Sequence, residues 1–280
     1  MTTLMKTVGI IAGNGRFPVL AVKEARREGY RVVVCAVEKE ADPGLSKMAD
    51  ACAWVKVGEL KKLIKFFRSE GVHEAIMAGK VEKVRLFQEN VRPDLGMVQV
   101  LIKTRDFKDD SLLGGIAHYL HENGIDLMDS TYFMKHALPG AGVLGRKKPA
   151  REVIADLEFG FRMAKAIAGL DIGQTVVVKK KAVLAVEAIE GTDRAIYRGG
   201  ELGNGKVSVI KVAKPNQDMR FDVPAVGLKT LRALISVHAE AFGFEARKTL
   251  FMDQEEFVQE ADKKGIALVG LEESGFKGSL

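Results

Sequence analysis

The sequence predicts an α/β fold in two domains, an N-terminal domain with a parallel sheet and a C-terminal domain of mixed α/β structure. Apolar runs of strand length alternate with helical patterns in the first half of the chain, which is typical of a parallel sheet covered by helices. The alternation breaks near Pro139–Gly142, a candidate linker. Beyond it, short strands separated by turns favour antiparallel pairing. We place the domains at residues 1–136 and 137–280.

The elements of the N-terminal domain follow from apolar periodicity and from glycines at their ends. Gly29, Gly71 and Gly124 each end a helical pattern, as left-handed caps do. Asp109-Asp110-Ser111 supplies an N-cap before the third helix. The predicted strands are Thr7–Ala12, Arg31–Val37 and His73–Ala78, and the predicted helices are Val19–Glu28, Leu60–Ser69 and Leu112–Glu122.

The C-terminal domain is predicted to open with a long helix from about Pro149 to Ala168, because proline suits a first helical turn. Strands and helices then follow in a less regular order. The predicted strands are Thr175–Val178, Val183–Ile189, Val207–Val212 and Ile266–Val269, and the predicted helices lie near Leu228–Ala241 and Glu255–Lys263.

Composition excludes several classes of protein. Of the 280 residues 47% are hydrophobic, which excludes a disordered chain, and no apolar run approaches the ~20 residues of a membrane-spanning helix. Two cysteines, Cys35 and Cys52, argue against a disulfide framework. The first residues lack the apolar core and cleavage site of a signal peptide. We therefore expect a cytoplasmic protein.

The net charge of +6 indicates an anionic ligand. Charges of both signs are interspersed, and no long basic tract alternates with aromatic residues, so a nucleic-acid partner is not expected. A phosphate-bearing small molecule and an anionic membrane face both fit this charge.

A glycine loop, Gly13-Asn14-Gly15, follows the first strand and opens the first helix. Backbone amides at such a helix N-terminus can bind a phosphate. The dinucleotide-binding fingerprint is incomplete, because Pro18 stands where its third glycine belongs. Glu38, at the end of the second strand, occupies the place of a ribose-binding acid. A tight turn without a ligand explains the same residues.

Two polar segments of the second half point to a Mg²⁺–phosphate site. Val183–Asp193 ends in the acids Glu187, Glu190 and Asp193, and Lys214–Pro224 packs cations and carboxylates into one proline-bounded loop. Mg²⁺ prefers oxygen ligands, while neighbouring cations neutralise phosphate oxygens. Ordinary solvated turn residues are the alternative for either segment.

Six motifs together resemble the LpxI family over nearly the whole chain. EAIEGTD and QDxRFDxP are the most specific of them. In chain order the motifs are GIIAGNGRFP (Gly9–Pro18), AGKV (Ala78–Val81), DDSLL (Asp109–Leu113), DIGQTVVV (Asp171–Val178), VLAVEAIEGTD (Val183–Asp193) and AKPNQDMRFDVPAVG (Ala213–Gly227).

The resemblance implies a cytoplasmic, Mg²⁺-dependent hydrolase that acts at the surface of the inner membrane. Family members split the diphosphate of UDP-2,3-diacylglucosamine, giving UMP and 2,3-diacylglucosamine 1-phosphate (lipid X) for lipid A biosynthesis. The family has a Rossmann-like N-terminal domain and a C-terminal domain, with the glycolipid bound in a cleft between them. A homodimer is compatible with membership.

One residue role is carried over from the family, and the chemistry of the motifs suggests the others. The essential aspartate of RFDxP falls on Asp222, which is expected to bind Mg²⁺ or orient the attacking water. Further metal candidates are Asp193 and Glu190, and Asp218 is a further ligand or catalytic candidate. Lys214 and Arg220 would neutralise the diphosphate. The predicted substrate-binding residues are Gly13, Asn14, Gly15, Lys80, Gln174, Thr192 and Gln217.

The chain departs from the family pattern in three places. Lys180-Lys181-Ala182 occupies a turn where a glycine is expected, AGKV continues as Glu82-Lys83-Val84-Arg85 without the expected Arg-Pro pair, and VPAVG follows Asp222 in place of LPTIG. These differences affect the predicted loop shape and the predicted preference for acyl chains more than the predicted reaction. Leu95–Leu101 could line an acyl groove or belong to a plain core element.

Two other functions remain open from the residues. A nucleotide-sugar or dinucleotide-dependent oxidoreductase would use the strand–loop–helix start, with Glu38 on the ribose, and would bind NAD(P)H. A non-catalytic sensor of nucleotides or lipid phosphates would use the same pocket without turnover. The carboxylates of the second half argue against the sensor, because a pure anion binder gains nothing from negative charge without a metal.

Overall fold

The computed structural model describes residues 5–81, 93–104 and 109–273, so the departure at Glu82–Arg85 lies outside the described residues. The chain forms two compact units. The first comprises Met1–Met134 together with Asp218–Asp222, and the second comprises Lys135–Gln217 and Val223–Leu280. A short segment from late in the sequence therefore belongs to the first unit.

The first unit contains a five-stranded sheet in which every neighbouring pair is parallel, in the order β3-β2-β1-β4-β5. The predicted parallel sheet is confirmed. Strand β2 is buried along nearly its whole length because helices cover both faces. The strands are β1 (Thr7–Ala12), β2 (Arg31–Val37), β3 (Ala51–Val55), β4 (Glu74–Ala78) and β5 (Asp126–Leu127).

The helices of the first unit bury apolar stripes against this sheet. In α3 the stripe is Leu60, Leu63, Ile64 and Phe67, at the spacing of one helical face. The third predicted helix begins at Asp109, within the segment that was predicted to cap it. The helices are α1 (Phe17–Arg27), α2 (Leu45–Met48), α3 (Leu60–Ser69), α4 (Leu95–Lys103) and α5 (Asp109–Glu122), and a 3₁₀ helix spans Tyr132–Ala137.

The second unit contains a six-stranded mixed sheet in the order β6-β13-β11-β9-β7-β8. Its centre is parallel, and its two sides are antiparallel, which confirms the predicted mixed structure. The strands are β6 (Gly142–Leu144), β7 (Thr175–Lys179), β8 (Ala182–Val186), β9 (Ser208–Lys211), β11 (Ala241–Glu245) and β13 (Ala267–Leu271), and β10 (Ala225–Val226) pairs with β12 (Leu250–Phe251).

Four helices cover the two faces of the second sheet. One face packs on α6, and the other carries an aromatic cluster of Phe242, Phe244, Phe251 and Phe257. A Cβ on Gly199 would lie 2.5 Å from Val177 Cβ, so glycine there lets a helix lie directly on β7. The helices are α6 (Arg151–Gly169), α7 (Thr192–Leu202), α8 (Leu228–Ser236) and α9 (Gln254–Lys263).

Two predicted boundaries are wrong. Strand β8 ends at Val186, and Ile189, which was predicted to lie in the strand, is fully exposed. The helix predicted over Leu228–Ala241 ends at Ser236. The candidate linker Pro139–Gly142 packs on the second unit, where Pro139 O accepts Arg247 N–H at 2.8 Å and β6 begins at Gly142.

The turn between β7 and β8 contains Lys180 and Lys181 in place of the expected glycine. Lys180 and Lys181 both have positive φ, 51° and 56°, which is unfavourable for a side-chain-bearing residue. The Asp156 carboxylate accepts both backbone N–H groups, at 2.8 and 2.7 Å. These two hydrogen bonds offset the strain.

Candidate functional site

The carboxyl edge of the parallel sheet brings together the glycine loop and Lys80. The strand order reverses between β1 and β4, and ligands of open α/β sheets bind at such a point. Asn14 N–H donates to Lys80 O at 2.6 Å, and Lys80 N–H donates to Asn14 O at 3.1 Å. Three of the predicted site residues, Gly13, Asn14 and Lys80, are therefore neighbours.

The same hydrogen bonds bear on the expected role of the glycine loop. The N–H groups of Gly13 and Asn14 are bonded to Ala78 O and Lys80 O within the chain, and their role as donors to a ligand stays a prediction. A Cβ on Gly13 would lie 2.5 Å from Lys80 O, which explains the need for glycine. Gly15, at φ 99°, has no heavy atom within 4 Å of its Cβ position and is exposed.

The segment that carries Asp222 joins this edge through the loop after β5. Ser130 is 1% exposed; its N–H donates to Met219 O at 2.9 Å, and its Oγ donates to Arg220 O at 2.6 Å. Strand β5 is two positions from β1 in the sheet, roughly 10 Å at the usual strand spacing. Asp222 itself is half-buried. Sequence patterns gave no signal that Ser130 would hold this segment.

Within the segment, Asp218 and Arg220 form a two-pronged ion pair. Arg220 Nη2 lies 2.6 Å and Nε 3.0 Å from the Asp218 carboxylate oxygens. The hydrogen bond from Arg220 holds the pKa of Asp218 below its usual range, although partial burial opposes it. Asp222 N–H donates to Asp218 O at 3.1 Å. Asp218 thus shapes the turn that presents Asp222.

In the second unit, Gln174 and Thr192 meet at the edge of the mixed sheet where β9 ends. Thr192 Oγ1 donates to Glu187 Oε1 and accepts from Lys211 Nζ, both at 2.7 Å. Gln174 O accepts Val212 N–H at 2.9 Å. Lys211, 7% exposed, was not predicted; a lone cation inside the apolar run VSVIKVA is the signal that could have found it.

Burial raises the pKa of Glu187, but the Lys211 charge and the hydrogen bonds to the carboxylate together outweigh this effect. Lys211 Nζ lies 3.9 Å from Glu187 Oε2, and Thr192 and the Gln174 N–H donate further hydrogen bonds to the carboxylate. The net pKa of Glu187 lies below its usual value. Glu187 is therefore ionised at neutral pH although it is largely buried.

A second buried ion pair holds the start of the loop that carries Lys214 and Gln217. Glu245, 4% exposed, accepts Ala213 N–H at 2.9 Å and Lys165 Nζ at 3.1 Å. Lys214 Nζ lies 2.7 Å from Asp171 Oδ1, and Lys214 N–H donates to Gln217 Oε1 at 2.8 Å. Lys214 and Gln217 are thus brought together, while Lys165 and Glu245 were not predicted.

The predicted metal ligands Glu190 and Asp193 each form an ion pair with a basic side chain of the second unit. Glu190 Oε1 lies 2.6 Å from Arg198 Nη2, and Asp193 Oδ2 lies 3.3 Å from Lys229 Nζ. Within the part of the chain that the structure describes, no three His, Cys, Asp or Glu side chains form a group that could hold a metal ion. Mg²⁺ commonly takes only one or two carboxylates and completes its shell with substrate phosphates and water, which a single aspartate such as Asp222 fits.

Comparisons with known proteins cover nearly the whole chain. A family model described as the LpxI N-terminal domain matches residues 7–137, and one described as the LpxI C-terminal domain matches residues 140–269. The UDP-2,3-diacylglucosamine pyrophosphatase LpxI of Caulobacter vibrioides is 30% identical over 279 residues, which is 96% of this chain and 98% of that protein.

Two solved structures show a low level of similarity to this chain. The biotin carboxylase domain of Hydrogenobacter thermophilus 2-oxoglutarate carboxylase is 14% identical with a TM-score of 0.28, covering 64% of this chain and 36% of that one. The L-amino acid ligase of Bacillus licheniformis is 12% identical with a TM-score of 0.29, covering 68% and 41%. The chain spans well under half of either structure, and similarity at this level establishes no shared activity.

Proposed function

The chain belongs to the LpxI family, and on this basis we propose that it hydrolyses UDP-2,3-diacylglucosamine. Water attacks one phosphorus of the diphosphate, and the bond from that phosphorus to the bridging oxygen breaks. The products are UMP and 2,3-diacylglucosamine 1-phosphate (lipid X). The reaction belongs to lipid A biosynthesis.

One observation carries the proposal beyond family membership. Ser130 holds the segment 218–222 at the carboxyl edge of the parallel sheet, in the same unit as the glycine loop and Lys80. Ligands of such sheets bind at this edge. The parallel order β3-β2-β1-β4-β5 supports a Rossmann-like first unit. The cleft between the domains stays a prediction.

We assign the central role to Asp222, which orients the attacking water or holds Mg²⁺. Arg220 and Lys214 neutralise phosphate charge, which builds up on the leaving group as the bond breaks. Asp218 holds Arg220 in place through its two-pronged ion pair. Gln174, Thr192 and Gln217 are proposed to hydrogen-bond the substrate.

Mg²⁺ is proposed as the cofactor. Asp222 would bind it together with diphosphate oxygens, because Glu190 and Asp193 are already paired with Arg198 and Lys229. When bound, the ion would withdraw charge from the phosphate oxygens.

The proposed substrate is a nucleotide-activated glycolipid, so the enzyme would work in the cytoplasm and contact the inner membrane peripherally. No helix within the described ranges is long and apolar enough to cross a membrane. A homodimer also stays a proposal, because the structure contains a single chain.

Hydrolysis of UDP-2,3-diacylglucosamine by the purified protein tests the proposal. We expect release of UMP and lipid X with Mg²⁺, loss of activity with EDTA, and a fall of at least about a hundredfold in kcat for Asp222→Ala. The control is Asp126→Asn. It changes an exposed aspartate at the start of β5, before the loop that contains Ser130, and should retain full activity.

The alternative functions give different outcomes. Binding of UDP-2,3-diacylglucosamine without turnover by the folded wild-type protein would favour a sensor. Binding of NAD(P)H with a matching change in absorbance would favour an oxidoreductase. Either result, or full activity of Asp222→Ala, would overturn the proposal.

A further inference from the structure

Two neighbouring loops at one edge of the second sheet expose three large aliphatic side chains. Leu170 is 71% exposed, Ile172 48% and Ile189 105%. Leu170 and Ile172 follow α6, and Ile189 follows β8. Single exposed apolar residues are common on soluble proteins, whereas groups of them mark interaction surfaces.

The two loops lie side by side. Beyond the strands, Glu187 N–H donates to Thr175 O at 2.8 Å, which extends the ladder that pairs Val176 with Val186. One step further, Gly173 lies so close to the Glu187 backbone that a Cβ on it would overlap Glu187 O. Ile172 and Ile189 therefore follow neighbouring backbone segments at this end of the sheet.

This apolar surface borders the polar cluster of the same unit. Asp171, between Leu170 and Ile172, holds Lys214 Nζ at 2.7 Å. Gln174 N–H and Thr192 Oγ1 both contact Glu187, which precedes the Ile189 loop. Apolar side chains thus lie next to groups that are proposed to bind the polar part of a substrate.

We propose that Leu170, Ile172 and Ile189 form a lipid-facing surface that inserts into the acyl layer of the bilayer holding the substrate. The proposal rests on the proposed function, because a diacylated substrate resides in a bilayer and must be taken from it. Contact through exposed loops would bring the polar cluster to the bilayer surface. Burial of these aliphatic side chains in the acyl layer removes apolar area from water and supplies the binding energy.

Leu202 offers a matched control within the same unit. It is 65% exposed, close to the value for Leu170. Thr192 begins α7 at the polar cluster and Leu202 ends it, which places Leu202 roughly 15 Å away along the helix axis. A side chain of the same type and exposure can thus be changed at the other end of α7.

Co-sedimentation with vesicles of phosphatidylethanolamine and phosphatidylglycerol tests the surface. We expect Leu170→Ser/Ile172→Ser/Ile189→Ser to lower vesicle binding by about tenfold or more for each side chain that inserts, and Leu202→Ser to leave it unchanged. High salt should preserve most of the wild-type binding, because screening weakens charge attraction and not apolar burial. Ile189→Ser alone, at a fully exposed position, should show part of the loss without risk to folding.

Activity assays separate this inference from the proposed function. With substrate in detergent micelles the triple variant should keep its kcat, and with substrate in vesicles its KM should rise. Wild-type protein that does not sediment with vesicles, or a triple variant that binds as well as wild type, would overturn the lipid-facing surface and leave hydrolysis intact. Loss of binding in the triple variant without hydrolysis by any form would support the surface and contradict the proposed function.

Discussion

The two units hold their candidate site residues at a sheet edge in different ways. In the first unit, backbone hydrogen bonds dominate: Asn14 and Lys80 bond each other, and Ser130 binds two carbonyls of residues 219 and 220. In the second unit, buried charges dominate, through the Lys211–Glu187 and Lys165–Glu245 pairs. Apart from the partly exposed Asp218–Arg220 pair, the framework of the first edge is neutral, and the second edge depends on ionisation.

The difference predicts which changes each edge tolerates. A backbone framework is insensitive to pH, but it fails when a side chain intrudes or a single donor is removed. A buried ion pair fails when one partner is neutralised, because the other charge is left without compensation in a poorly solvated place. Neutralising Glu245 in the second unit should therefore cost more stability than removing a single hydrogen bond of the first.

The largest effect is expected for Glu245→Gln. The amide still accepts Ala213 N–H, but Lys165, whose side chain is 14% exposed, loses its counter-charge. We expect a loss of about 3 kcal/mol in the free energy of unfolding, measured by urea denaturation. The control Glu59→Gln breaks the more exposed Glu59–Lys62 pair and should cost less than about 1 kcal/mol. Equal losses in the two variants would contradict the contrast between the edges.

The next effect is expected for Ser130→Ala in the first unit. It removes the 2.6 Å hydrogen bond to Arg220 O at a buried position and should cost about 1–2 kcal/mol. Hydrogen exchange should accelerate for the amides of residues 218–222, and kcat should fall about tenfold as Asp222 loses its fixed position, with little change in KM.

Ser236→Ala is the matched control for Ser130→Ala. Ser236 Oγ donates to Ala233 O at 2.8 Å, within a helix of the second unit. Its loss should change neither hydrogen exchange at residues 218–222 nor kcat. Unchanged exchange in Ser130→Ala would show that the segment is held by other contacts.

The elements that sequence patterns predicted well are those with a clear local signal. Strand β2 (Arg31–Val37) and helix α3 (Leu60–Ser69) have the predicted bounds, because one is continuously apolar and the other has an apolar face at helical spacing. Lys80 and the glycine loop were both predicted to bind substrate, and the structure places them in contact at one edge of the sheet.

The elements that were missed depend on distant parts of the chain. Strand β11 (Ala241–Glu245) was not predicted, and it fills the place between β9 and β13. Helix α7 (Thr192–Leu202) begins at a Gly-Thr pair that was predicted as a turn. The Ser130–Arg220 hydrogen bond joins residues 90 positions apart, and no local pattern records it.

The smallest effect, and the one that isolates ionisation, is the pH-dependent part of the stability due to Glu187, because its Oε2 lies 3.9 Å from Lys211 Nζ, against 3.1 Å in the Glu245–Lys165 pair. Burial raises its pKa, but Lys211 and the hydrogen bonds from Thr192 and Gln174 lower it by more. The folded-state pKa therefore lies below the unfolded value of about 4.3. A group with a depressed folded-state pKa stabilises the fold above its unfolded pKa and loses this contribution as pH falls through the folded-state value.

Glu187→Gln should therefore be less stable than wild type near neutral pH, by less than Glu245→Gln, and the difference should shrink once the pH drops below about 4. Urea denaturation of both proteins across this range measures it. A difference that stays constant with pH would mean that Glu187 acts through its shape and hydrogen bonds, and that the second edge depends on charge only through Glu245.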